Sequence, residues 1–332
     1  MNFIEIFIKI LEIDSTSGKE RALSEYLCSN FSSPSTQTVI EEVGDGSQNL
    51  FIKWGEPEIV FCTHLDTVPP YFAPRVDGNL VYGRGACDAK GQIIAMHQTC
   101  LELEKEGHSN FGLLLLSGEE CGSKGAKIQK NNGKFAIVGE PNNNHLASAG
   151  KGTKLYEIEI SGKKAHSGYP AFGENAILRF VKFVNELNSI CRHSLPQDPE
   201  LGQTTFNIGK LASDNSHNVI SDSVQFLCYF RTTFMTDNLI DKMMLNLCND
   251  YVKVKKISGD APYKFFTVNG FNINTIAFGS DAPHLKGFDK VLLYGPGSIE
   301  NAHTDKEQIT ISEIYQAIND LKKIYFELKK WI

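Results

Sequence analysis

The sequence predicts an α/β fold: a mostly parallel sheet covered by helices, with an α+β domain of ferredoxin-like element order inserted into it. Three observations lead there. Over the first 151 residues, short apolar runs alternate with helical stretches, as expected of strands buried on both faces of a parallel sheet. After Gly150 the strands turn half-exposed, in the order strand, helix, strand, strand, helix, which fits a split βαβ sandwich. From Gly270 onward buried-strand character returns, and a long amphipathic helix follows. The expected organisation is a discontinuous large domain, 1–151 and 265–332, around a small domain at 152–264.

Taken in order, Phe3 to Ile13 is apolar at Phe3, Ile4, Phe7, Ile8, Ile10 and Leu11, a helical spacing. Ser17-x-x-Glu20 reads as a capping box opening a second helix through Leu23 and Leu27. Strands are expected at Ile59–Cys62, Leu113–Leu116 and Phe135–Val138, with helices from about Gly91 to Glu106 and at Lys124–Gln129. In the small domain, Leu155–Ile160 alternates polar and apolar; a helix follows at Glu174–Ile190, then strands near Thr204–Leu211 and Val224–Phe230 and a helix at Leu239–Tyr251. Gly270–Phe278 and Val291–Tyr294 read as buried strands and Ile311–Trp331 as a helix.

The bulk properties exclude several classes. A length of 332 residues with 41% hydrophobic content suits one large domain and a smaller one. Lys+Arg 33 against Asp+Glu 39 gives a net charge of -6 without any basic cluster, so nucleic acid is not an expected partner. Apolar runs such as Phe111 to Leu116 are far shorter than the roughly 20 residues that span a bilayer. The opening Met1-Asn2-Phe3-Ile4-Glu5 lacks the signature of a secretory leader, and the expectation is a cytoplasmic protein. The 8 cysteines form no C-x-x-C pair and several lie in apolar runs, so they read as reduced, buried thiols.

Chemistry-bearing residues gather at strand ends. His64-Leu65-Asp66 follows the Ile59–Cys62 strand, and a carboxylate two residues from a histidine can fix its tautomer for metal binding. Gly83-Arg84-Gly85-Ala86-Cys87-Asp88-Ala89-Lys90-Gly91 places one acid in a glycine-rich turn, where an ordinary helix cap is the simpler reading. Glu119-Glu120 ends a buried strand, where paired carboxylates suit a metal ligand beside a general base. Glu140 ends a third strand, and His303 lies a short loop beyond Val291–Tyr294. In open α/β sheets ligands bind at the carboxyl ends of the strands. A set of two histidines and several carboxylates without cysteine fits Zn²⁺, Co²⁺ or Mn²⁺.

The succession His64-x-Asp66, Asp88 in its glycine-rich turn, Glu119-Glu120, Gly139-Glu140-Pro141 and Ala302-His303-Thr304 resembles the di-zinc deacylases and exopeptidases. That family includes acetylornithine deacetylase, succinyl-diaminopimelate desuccinylase, aminoacylase and the glutamate-releasing carboxypeptidases. The resemblance implies two divalent metal ions, with Asp88 bridging, His64 and Glu140 completing one site, and Glu120 and His303 the other. It further implies that Glu119 is the general base, that Asp66 orients His64, and that a cis peptide follows Asp88, although Ala89 departs from the family's usual acid or Met. The inserted domain becomes a lid and dimerisation domain, whose His166, in Lys164-Ala165-His166-Ser167, stabilises the oxyanion in the neighbouring subunit's site. Asn218 and Arg231 would hold a substrate carboxylate, and Gly279, Ser280 and Gly297 would shape the substrate loops. The expected activity is hydrolysis of a small N-acyl amino acid, acetylornithine first, by a homodimer. Desuccinylase and dipeptidase activities stand next, and a catalytically silent metal-binding relative is the non-enzyme alternative.

Overall fold

The structure is a computed structural model and describes residues 3–332; Met1 and Asn2, part of the opening stretch read above, lie outside the described residues. The chain forms two compact units. The larger runs up to Ser148 and takes in Phe265–Asn274 and Ser280–Ile332; the smaller comprises Ala149–Lys264 and Thr275–Gly279.

The larger unit opens with α1 (Phe3–Glu12), α2 (Arg21–Phe31), β1 (Gln37–Gly44), β2 (Ser47–Trp54) and β3 (Ile59–His64). It continues through α3 (Lys90–Lys105), β4 (Phe111–Leu116), α4 (Lys124–Ile128) and β5 (Gly133–Val138). The smaller unit contributes β6 (Gly152–Ser161), α5 (Ala176–His193), β7 (Thr205–Ala212), β8 (Ser223–Thr232), α6 (Asp237–Asn246) and β9 (Val252–Asp260). The chain then returns to the larger unit for β10 (Phe288–Leu293) and α7 (Ile311–Lys329).

In the larger unit six strands lie in the order β1-β2-β4-β3-β5-β10. The four from β4 to β10 are parallel, while β1 and β2 form an antiparallel hairpin added to β4. β3 and β4 are buried along their whole length, because helices cover both faces of a parallel sheet and leave no polar side. The hairpin and its antiparallel edge are a correction to the sequence reading, which assigned nothing between 31 and 58. β1 mixes polar, charged and apolar residues without a clean period on an exposed edge, a weak signal beside the continuous apolar runs.

The smaller unit is a four-stranded antiparallel sheet in the order β7-β8-β6-β9 with α5 and α6. Its buried side chains, among them Ile158, Phe183, Leu187, Phe226 and Phe230, form a core of their own. The sequence reading stopped at a helix reaching Tyr251 and missed β9. That strand reads Val252-Lys253-Val254-Lys255-Lys256, and its lysines cover a solvent-facing edge. Asn175 caps α5 by accepting from the Ile177 and Leu178 amides.

Two further expectations fail on local grounds. The Ser17-x-x-Glu20 box does not cap α2: Ser17 donates to Asp66, and Glu20 accepts from Gly18 and Ser47. A capping box instead opens α7 at Thr310 and Glu313. Gly270–Phe278 is no buried strand of the main sheet, since only Ile273–Ile276 is extended and Ile273 is exposed. Among the described residues no helix is long and apolar enough to cross a membrane. All eight cysteines are unpaired.

His97 on α3 is stacked on Phe31 at 3.4 Å between ring centroids, and neither ring nitrogen has a hydrogen-bond partner among the described residues. Burial lowers its pKa to about 3. A depressed histidine contributes stability above its unfolded value, near 6.5, and that stability is lost as pH falls toward the folded value. Relative to His97→Leu, the protein should therefore lose about 2 kcal/mol more between pH 7.5 and pH 5. Urea unfolding of both proteins at the two pH values measures this, and an unchanged difference would exclude a buried neutral imidazole.

Candidate active site

Each candidate ligand is delivered by the end of a strand or the turn before a helix. His64 is the last residue of β3, Glu119 and Glu120 follow β4, Glu140 follows β5, and His303 lies beyond β10. Asp88 stands just before α3, where the free amides and the positive end of the helix dipole favour an anion. Thr63 Oγ1 donates to the Gly139 carbonyl at 2.9 Å, which pins the ends of β3 and β5 side by side. Gly139 also lets β5 lie close to α3, since a Cβ there would be 2.7 Å from Met96 Cε and 3.1 Å from Gln92 Cβ. His303 adopts a left-handed backbone with φ 62°, a region that residues other than glycine visit mainly at turns and functional sites.

The side chains converge. His64 Nε2 lies 3.0 Å from Asp88 Oδ1 and 4.0 Å from Glu140 Oε2. His303 Nε2 lies 3.3 Å from Asp88 Oδ2 and 2.8 Å from Glu120 Oε1. Two groups able to hold a metal ion therefore share Asp88: His64, Asp88 and Glu140, and Asp88, Glu120 and His303, with the donor atoms of each within 4.8 Å of one another. A third group, His64, Glu119 and Glu120, overlaps them. The Asp88–Ala89 peptide is cis.

Asp66 is fully buried beneath this cluster. Its Oδ1 accepts from the Glu119 amide at 3.0 Å, and its Oδ2 from the Glu120 amide at 3.2 Å and the Ser17 hydroxyl at 2.9 Å. His64 Nδ1 is 2.9 Å from the Asp66 main-chain carbonyl and 3.5 Å from Asp66 Oδ1. The shorter contact that fixes the ring is thus with the backbone, and the carboxylate backs it. Sequence reasoning placed Asp66 beside His64 but gave Ser17 to a helix cap. A hydroxyl in the loop between α1 and α2 carries no local mark of a partner 49 residues away.

The electrostatics follow from crowding anions in a buried place. Burial alone would lower His64, but the hydrogen-bonded carboxylates of Asp66 and Asp88, with Glu140 nearby, outweigh it and raise it well above the usual range. Hydrogen bonds to Asp88 and Glu120 raise His303 to about 10. Burial pushes Glu119 and Glu140 well above ordinary carboxylates despite the pull of His64. Asp281 is also buried and is raised to about 6 by burial, against the pull of His64. So dense a set of acids and imidazoles, acceptors on every side, is the donor set of divalent cations.

Of the loop glycines, Gly297 has φ 80° and a Cβ there would lie 2.6 Å from Cys87 Sγ, so it packs the Gly295-Pro296-Gly297 turn against the Asp88 loop. Ser280 is buried in the larger unit, whereas Gly279 belongs to the smaller one. Within the smaller unit, a Cβ on Gly279 would be 4.0 Å from Arg231 Nη1. The Arg231 guanidinium stacks on Tyr229 at 4.7 Å, and among the described residues it has no carboxylate partner. His166 pairs with Val219 as an isolated bridge, and the Ser167 amide donates to the Asn218 carbonyl at 2.9 Å, so His166 and Asn218 occupy one paired segment. The His166 side chain is exposed, with Nδ1 accepting from the Gly168 amide at 3.1 Å.

Residues 60–326 match the model of peptidase family M20/M25/M40. The chain belongs to this family. It is 28% identical over 97% of its length to a peptidase M20 domain-containing protein of Schizosaccharomyces pombe, covering 84% of that protein. It is 30% identical to a probable carboxypeptidase of Emericella nidulans, covering 97% of this chain and 88% of the other. Among solved structures, a tripeptidase from Staphylococcus aureus superposes with a TM-score of 0.82 at 21% identity, covering 97% of this chain and 96% of that one. A family M20 metallo-carboxypeptidase from Sulfolobus solfataricus gives 0.74 at 16% identity, with 97% and 98% covered. The two-part α/β fold is that of these enzymes. This M20 protein is a hydrolase of the metallopeptidase class, a class that works with divalent metal, usually zinc.

The hydrogen bonds of Asp66 generate a test. Asp66→Asn keeps the shape but turns an amide donor toward at least one buried N–H or O–H. Stability should fall by about 1–3 kcal/mol, the cost of unsatisfied buried donors. Zinc affinity should fall roughly 10–100-fold, as is usual when the groups holding metal ligands are altered. Urea denaturation and zinc titration of the metal-stripped protein measure the two effects, and wild-type values in both would remove Asp66 from the scaffold of the site.

Proposed function

We propose that this protein is a di-zinc exopeptidase that hydrolyses the amide bond to a terminal amino acid bearing a free carboxylate. The observation that carries the reading is Asp88 standing between two donor groups, each completed by a histidine and a glutamate. His64 and Glu140 would complete one site with Asp88, Glu120 and His303 the other. Cobalt or manganese could replace zinc, because the donors are nitrogen and oxygen only. Two divalent ions held there would polarise the scissile carbonyl and acidify a water.

The protein's own residues would do the rest. Glu119, outside the two assigned groups and raised by burial, takes the proton of the attacking water and passes it to the departing amine. Asp66 keeps His64 in register and fixes the backbone of Glu119 and Glu120. Arg231 and Asn218 grip the substrate carboxylate, and the unpaired guanidinium supports this role. Gly279, adjoining Arg231 within the smaller unit, leaves room for that carboxylate, and Ser280 and Gly297 would shape the substrate loops of the larger unit. His166 donates to the oxyanion across a homodimer formed through the smaller unit, where Ile177, Leu178 and Val181 of α5 expose apolar side chains. Eight unpaired thiols fit a reducing compartment.

The names of the relatives favour peptides as substrates, since several are called carboxypeptidases. N-acetylornithine, and with it a place in arginine biosynthesis, becomes a narrower case with no relative named above to support it. A panel of dipeptides, N-acetyl and N-succinyl amino acids on the zinc- and cobalt-loaded enzyme decides between them. Higher kcat/KM for N-acetylornithine than for every peptide would reverse the order.

Glu119→Gln should retain both metals and lower kcat by roughly 10²–10⁴-fold, the usual contribution of a general base; turnover near wild type would remove it from the mechanism. Amidating the terminal carboxylate of a good substrate should lower kcat/KM by roughly tenfold or more through loss of charged hydrogen bonds. In Arg231→Met that discrimination should disappear, and an undiminished preference for the acid would place the clamp elsewhere.

A further inference from the structure

Glu307 lies four residues after His303 and is completely buried. Its Oε1 accepts from the backbone amides of Cys87 at 3.0 Å and Asp88 at 2.9 Å. Its Oε2 accepts from Arg84 Nη1 at 2.6 Å. Arg84, only 1% exposed, also donates from Nε to the Pro70 carbonyl at 3.2 Å. The Glu307 main-chain carbonyl accepts from the Gly83 amide at 3.1 Å, and the next residues, Gln308–Thr310, pair antiparallel with Leu80–Tyr82. One residue therefore closes both ends of the glycine-rich turn, from Gly83 to Asp88, onto the segment that carries His303.

This placement has a mechanical consequence. Asp88 and His303 are more than 200 residues apart in sequence, yet their donor atoms sit 3.3 Å apart. The turn holding Asp88 contains Gly83 and Gly85, both at positive φ, and such residues fix little of their own conformation. The buried carboxylate supplies what the glycines lack: two N–H bonds at the residue that bears the ligand, and an ion pair anchoring the start of the turn. A buried charge pair is weak evidence for stability by itself; here its geometry is directed at a ligand.

We propose that Glu307 is a positioning residue of the metal centre, with its Oε1 holding the Asp88 backbone at the distance from His303 that the second ion requires. This rests on the di-metal reading of the site. The test compares two double variants that both lack the buried charges. Arg84→Met/Glu307→Gln keeps a carbonyl oxygen for the Cys87 and Asp88 amides, whereas Arg84→Met/Glu307→Met removes it. Metal-stripped proteins are titrated with zinc and followed calorimetrically, with folding checked by circular dichroism.

The Gln variant should bind two ions within about threefold of wild-type affinity, and the Met variant should bind one of them roughly 10–100-fold more weakly. If both fold and bind zinc alike, Glu307 is only a structural residue and the proposal fails. Should the Met variant not fold, Glu307→Asp replaces it: the shortened side chain keeps the charge but withdraws the acceptor, and wild-type affinity there overturns the proposal equally. His303→Ala in the same titration separates the two levels. If wild type takes up no second ion, or His303→Ala takes it up unchanged, the di-metal reading itself has failed.

Discussion

The carboxylate of Asp66 lies fully buried at the bottom of the site and accepts hydrogen bonds on both oxygens. A buried carboxylate is tolerated only where its acceptors are met, and these donors are the amides of the two glutamates above it and the Ser17 hydroxyl. The same residue's carbonyl fixes the His64 ring. Three stretches distant in sequence, the loop after α1, the end of β3 and the turn after β4, are therefore tied to one side chain. Any displacement of Asp66 would reach both His64 and Glu119-Glu120 at once.

Above that anchor the problem is repulsion. Asp88, Glu119, Glu120, Glu140 and Asp281 are gathered in one place, and burial disfavours the charge of Glu119, Glu140 and Asp281. The imidazoles of His64 and His303 oppose them, and His284 also opposes Asp281. The fold tolerates the arrangement because rigid elements hold it: parallel strands buried on both faces, a helix N-terminus behind Asp88, and Glu307 with Arg84 behind the turn. Collapse of the acids away from one another is prevented by the scaffold, and the potential that results draws divalent cations.

Much of this was legible because buried parallel strands announce themselves as unbroken apolar runs and their carboxyl ends carry the chemistry. β3, β4 and β5 and the residues just beyond them could be read one by one. The buried β2 was passed over with its hairpin partner, and most of what else escaped was polar at the surface or long-range. β1 and the lysine-bearing β9 lie at sheet edges, where an apolar stripe is diluted by charge. Ser17 has the spacing of a cap, yet its hydroxyl is drawn to Asp66. Glu307 lies in Lys306-Glu307-Gln308, indistinguishable in sequence from a solvated stretch; only the pairing of Gln308–Thr310 with Leu80–Tyr82 takes it inside. The family motifs compensated for the ligands themselves, since their order along the chain is distinctive even where each alone is not.

The order in which the strands are connected also bears on how the molecule comes into being. β5 finds its parallel neighbour β10 only after the whole run Ala149–Lys264 has been made, and the last helix follows later still. A chain leaving the ribosome can complete the smaller unit's sheet and core while the larger sheet still lacks its edge. His303 and Glu307 are among the late arrivals. A nascent chain therefore carries His64, Asp88, Glu119, Glu120 and Glu140 without the segment that completes their geometry, so the candidate site is assembled only after the smaller unit has been made.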